Sequence, residues 1–118
     1  MAVLGRGSAL ATKLFLTFVA AWISFGLVDR NPLLWVLVLS GTVTALNWVV
    51  GDRLILPGAG NEVAALAEGV LGAVIASLLA VTVRGFFATA TGLFHFGVLV
   101  AVLELFFHRY LTSERIAP

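Results

Sequence analysis

Apolar residues fill this chain in four nearly unbroken runs, 14–28, 31–51, 63–83 and 85–103, each closed off by charge or by a turn. Continuous runs of this length predict helices, because a barrel would show alternating strands of about ten residues. Crossing a hydrocarbon layer of roughly 30 Å takes about 20 helical residues. Backbone amides in lipid must find partners inside the protein, which only helices and closed barrels allow. The pattern therefore predicts an all-α fold: a bundle of four transmembrane helices at about 11–28, 32–51, 62–83 and 85–110. The four spans use up the length, so 1–118 reads as one integral membrane domain. Arg6 and Lys13 before an apolar run resemble a signal peptide. No small-x-small exit precedes Asp29 and further spans follow, so the first helix reads as retained.

The breaks are readable too. Asp29-Arg30-Asn31-Pro32 predicts a tight turn, with Pro32 in the first turn of the second helix. Residues 51–62 read as the one sizeable loop. Pro57 should force Leu56 out of helical geometry, and Gly58 and Gly60 allow a reversal. Asn61 reads as the N-cap of the third helix, with Glu62 complementing its dipole. Arg84-Gly85 separates the last two helices.

Composition agrees with lipid as the surroundings. The chain is 61% hydrophobic and 11% charged, with mean hydropathy +1.11, whereas soluble domains carry about a quarter charged residues. Cysteine is absent, which excludes disulfides and thiolate chemistry. A net charge of +1 gives no reason to expect nucleic acid. Lysine and arginine set orientation. Arg6, Lys13, Arg53, Arg109 and Arg115 fall on one side, and Arg30 and Arg84 on the other, so both termini are expected in the cytoplasm. Trp22, Trp35, Phe86 and Phe87 are then expected at the outer interface, and Trp48, Phe106, Phe107 and Tyr110 at the inner one.

The third run has the sharpest internal pattern. Ala64, Glu68, Gly72, Ala76 and Ala80 recur every fourth residue, flanked by Ala65, Gly69, Ala73 and Ser77. Such small-residue rows let helices approach closely in lipid, while Leu66, Val70, Val74, Leu78 and Val81 point elsewhere. Two polar seams offer partners: Ser40, Thr44, Asn47 and Gly51 on the second helix, and Lys13, Thr17, Ala21 and Ser24 on the first. Both read as helix glue before they read as a substrate path.

Glu68 lies inside the packing face, roughly 10 Å into its helix at 1.5 Å per residue. Glu104 lies at similar depth on the fourth helix, and His108 follows it by one turn. Together with Lys13, Asp52, Asn61 and Arg109 they form the predicted polar cluster, with Glu68 and Glu104 as its buried acids. Lys13 is placed near an interface to which it can snorkel, and Asp52 and Arg53 at the surface. Glu68 reads either as a neutral hydrogen-bond donor or as an ion paired with Lys13. Intramembrane acids are functional candidates by default, and a polar clamp that fixes register is the alternative. His95, half a turn away from Glu104, reads as a separate helix–helix hydrogen bond.

The connection and the tail carry a family resemblance. Gly51-Asp52, Ile55-Leu56-Pro57, Gly60-Asn61-x-Val63-Ala64 and Ala67-Glu68-Gly69, with Glu104-x-x-x-His108-Arg109-Tyr110-Leu111, resemble the YndM-like family. Those are small four-helix membrane proteins of Bacillus-type bacteria, a domain of unknown function. The resemblance covers almost the whole chain, and it implies the bacterial cytoplasmic membrane, not a reaction. Where Glu68 stands an aspartate is usual in that family, and a basic residue often stands where this chain has Gly58.

Catalytic patterns such as GxSxG or HExxH are missing from the sequence. Glu104 and His108 are only two ligands, which rarely hold a metal. The expectation is a non-enzymatic accessory or structural membrane protein with no cofactor, packing through its small-residue face. Its partners would be the lipid bilayer and a second copy or another membrane protein. The runner-up is a small proton- or cation-coupled transporter or channel-like oligomer using Glu68 and Glu104. Small multidrug-resistance exporters share the size and span count but carry their acid in the first helix, where this chain has none.

Overall fold

The computed structural model describes residues 5–118 in full and the backbone of 2–4. Helix α1 (Ala2–Ala21) runs directly into a wide, π-helical segment, Trp22–Val28. Helix α2 (Leu33–Leu46) does the same, continuing as a π segment at Asn47–Ile55 and then as the short α3, Leu56–Ala59. Helix α4 covers Asn61–Thr82 and α5 covers Ala90–Ser113. These make four helical spans long and apolar enough to cross a membrane. The bundle measures 41 × 26 × 21 Å. Its long axis suits a bilayer of about 40–45 Å with headgroups.

Several boundaries differ from the sequence expectation. The first helix begins at Ala2, not near residue 11, so Lys13 lies well inside it. The last begins at Ala90, because residues 83–89 are held extended by side chains from the first turn. The expected loop at 51–62 is mostly helical. Leu56 stays in the α region (φ −55°, ψ −48°) and its N–H bonds the carbonyl of Gly51. Pro57 is tolerated because it falls at the start of α3, where its missing N–H costs nothing. The reversal is concentrated at Gly60, whose φ of +91° suits glycine. Gly60 occupies the N-cap position of α4 and Asn61 is already helical, which frees the Asn61 side chain for other work.

At the end of the bundle away from the termini, the turn after the first span ties down the 83–89 connection. The Asn31 amide accepts from Phe87 N (2.7 Å) and donates to Phe87 O (2.6 Å) and Phe25 O (3.1 Å). Asp29 accepts from the Thr89 amide and hydroxyl at 2.9 and 2.6 Å, and Thr89 in turn caps α5 through Gly92 N. Both chain termini lie at the opposite end, where Arg6 Nε donates to Ala117 O at 2.7 Å.

The core is built as the small-residue pattern requires. Ala64, Glu68, Gly72 and Ala76 are buried, while Leu66, Val70, Val74, Leu78 and Val81 face outward. Close approach peaks where α4 meets α5. A Cβ built on Gly69 would sit 2.5 Å from the Gly97 carbonyl oxygen and 3.0 Å from Ala101 Cβ. Both polar seams are buried, but their glue is mostly packing. Ser40 bonds its own helix, Ser24 and Thr44 hydroxyls have no partner, and Asn47 reaches across to Glu68 O at 3.4 Å. The interfacial aromatic belts need correcting as well. Phe86 packs against Phe25 in the core, and Trp48 and Phe107 are buried against each other.

Candidate functional site

Each of the four spans delivers an ionisable side chain to one point. Lys13 comes from α1, Asp52 from the second π segment, Glu68 from α4, and Glu104 and His108 from successive turns of α5. All five are at most 2% exposed. The widened backbone at Asn47–Ile55 is what brings Asp52 in. With i→i+5 bonding, residues five apart come nearly over one another. Asn47 and Asp52 therefore share the inward face with Gly51 and Trp48. A Cβ on Gly51 would fall on the Glu68 carboxyl, so glycine there leaves the space that the acid fills.

The Lys13 ammonium lies 2.7 Å from Glu68 Oε1, 2.6 Å from Glu104 Oε2 and 3.0 Å from Asp52 Oδ2. It also sits 4.8 Å from the centre of the Phe107 ring, a cation–π distance. His108 Nε2 faces the same three acids: Glu68 Oε2 at 2.6 Å, Asp52 Oδ1 at 2.8 Å and Glu104 Oε2 at 3.4 Å. The other ring nitrogen, Nδ1, lies 2.8 Å from Asn61 Oδ1, and Asn61 Nδ2 donates to Leu105 O at 3.1 Å. That second bond sets which way the Asn61 amide points, so its oxygen accepts from Nδ1–H and the histidine tautomer follows.

Of the seven predicted cluster residues, six meet: Lys13, Asp52, Asn61, Glu68, Glu104 and His108. Lys13 does not snorkel to an interface, because three carboxylates within 3.0 Å hold it inside. Asp52 is a buried member and not a surface cap. Arg109 is not in the cluster. One residue past His108 is about 100° round the helix, and the Arg109 guanidinium lies outside, 5.9 Å from the Phe106 ring centre. His95 points away from the acids as expected, but it is exposed and packs beside Phe94 instead of bridging helices.

Charge counting shows what the arrangement demands. With both Lys13 and His108 cationic, the three carboxylates still leave one negative charge in excess. An unbalanced charge out of contact with water is costly, so the cluster requires a further proton or cation. Glu68 also backs onto a groove of about 500 Å³ between the second π segment and α4, walled by Val50, Ile55, Leu66 and Val70 among others.

Four lipid-length helices, with their ionisable side chains gathered inward, define a multi-pass membrane protein. The chain belongs to the family described as "Protein of unknown function (DUF2512)", whose model matches residues 6–117. That agrees with the resemblance read from the 51–69 segment and the tail. Neither the curated proteins nor the solved structures gave a match.

Proposed function

We propose that this is a small, non-enzymatic, proton- or cation-coupled transporter that works through the buried cluster, in the bacterial cytoplasmic membrane with both termini inside. The observation that carries this is the excess acid: three fully desolvated carboxylates against two bases. A clamp whose only task was to fix helix register would need no surplus charge. Buried ion networks are seldom more stable than apolar packing of the same shape. The groove behind Glu68 supplies a lateral approach to the site from between two spans.

An accessory role resting on small-residue packing is the second reading, favoured by the Gly69–Gly97 contact. That contact joins two helices of the same chain, so much of the small face is already occupied within the protein. Reconstitution in liposomes separates the two. A proton gradient followed by an internal pH dye should collapse faster than in empty vesicles. Glu68→Gln should reduce that flux at least tenfold while leaving Trp48 fluorescence in place. Flux indistinguishable from empty vesicles, or unchanged in Glu68→Gln, would sink the transport reading.

A further inference from the structure

We infer that Asp52, Glu68, Glu104 and His108 form a binding site for one divalent first-row metal ion, with Lys13 retained as a second cation and Asn61 as the residue that aims His108. This rests on the cation-coupled reading above and names the cation's class.

The histidine supplies the first argument. Asn61 accepts from Nδ1–H, so in the neutral ring Nε2 presents a lone pair to three carboxylates. A charged ring has a single Nε2–H to give, and Asp52 Oδ1 at 2.8 Å takes it. Glu68 Oε2 is then left 2.6 Å from the same nitrogen, fully buried and without a hydrogen-bond donor. Two anionic oxygens crowd one ring nitrogen, and a metal ion among them turns that conflict into coordination. Metal-bound histidines almost always donate their other ring N–H to a fixed acceptor, which is the part Asn61 plays.

The second argument is geometric. One ligand atom from each of the four residues lies within 4.8 Å of all the others. Bonds of about 2.0–2.2 Å in a tetrahedral site put ligand atoms roughly 3.3 Å apart. The present 2.6–3.4 Å spacings around Nε2 need open by only a few tenths of an ångström. Lys13 does not have to leave. It holds Asp52 and Glu68 by Oδ2 and Oε1, whereas Nε2 faces Oδ1 and Oε2. The carboxylates thus present one oxygen to each cation, and Glu104 Oε2 alone serves both.

Charge and donor type close the case. A doubly charged ion and the lysine ammonium together balance three carboxylates with the imidazole neutral. One imidazole nitrogen with three carboxylate oxygens suits zinc, manganese or iron. Calcium prefers six to eight oxygens, and magnesium keeps several waters.

Calorimetric titration of the detergent-solubilised full chain with zinc chloride tests this, with cobalt(II) absorption as a reporter of coordination geometry. One ion per chain is expected, with d–d bands of a four-coordinate N/O site. His108→Gln should abolish those bands, and Asn61→Ala should weaken binding about 10–100-fold. Arg109→Gln, outside the cluster, should change nothing. A folded wild-type chain that binds neither ion, or a His108→Gln variant with intact Trp48 fluorescence that binds as wild type does, overturns the inference. Proton flux that depends on Glu68 in metal-free vesicles, with no metal bound, would leave the transport reading standing and remove only the metal.

Discussion

Lys13→Met is expected to destabilise the bundle by about 3–5 kcal/mol, the range found when one partner of a buried ion pair is removed and the other left behind. The side chain is fully buried and its ammonium is the one group that touches all three acids at 3.0 Å or less. Methionine restores the volume, so the loss reports charge and not a cavity. The pairing is checked by a double-mutant cycle with Glu68→Gln, read from unfolding in mixed micelles by Trp48 fluorescence. Lys13→Met should cost clearly less once Glu68 has been neutralised. An equal cost in both backgrounds would mean that lysine and glutamate are not partners, whatever their 2.7 Å separation.

Gly69→Val should come next, at about 3 kcal/mol, the upper part of the usual cost of overpacking. Its Cβ would meet a backbone oxygen, Gly97 O at 2.5 Å, and backbone cannot swing aside as a side-chain tip can. Helices α4 and α5 must part, and with them Glu68 from Glu104. The variant should therefore lose proton flux and stability together. Gly41→Ala is the matching control, since nothing lies within 4 Å of the added methyl and alanine is the better helix former by about 1 kcal/mol. Equal stability of Gly69→Val and wild type in the micelle assay would show that the α4–α5 crossing is looser than its geometry states.

Much of this arrangement was legible because helices with a period of 3.6 sort residues by face. The four-residue repeat through Ala64, Glu68, Gly72 and Ala76 placed Glu68 inside before any coordinates were consulted. The i, i+4 spacing of Glu104 and His108 put both on one side of α5. The parts that were missed are those where the backbone leaves that period or where sequence neighbours were treated as spatial ones. Asp52 looked like a surface cap because Gly51 and Pro57 resemble stop signals, yet the helix continues through them in a wider form. Asn61 looked like an N-cap by residue type, but Gly60 with its positive φ fills that post and the amide turns to His108. Arg109 was drawn in by adjacency to His108, although the next residue on a helix faces elsewhere. Lys13 was expected at the interface because the start of its helix was set too late, and a lysine deep in a span finds its carboxylates closer than water.

The wide turns at Trp22–Val28 and Asn47–Ile55 bear on how relatives of this chain should be aligned. A π turn differs from an α turn by about one residue of extra chain. A homologue lacking a single residue between Asn47 and Ile55 would still cross the bilayer as an ordinary helix. Everything beyond the deletion would be rotated by about 100°, carrying the carboxylate at position 52 round to the hydrocarbon. One-residue gaps in that stretch are thus a marker for members of the family in which the shared inner chemistry has been dismantled.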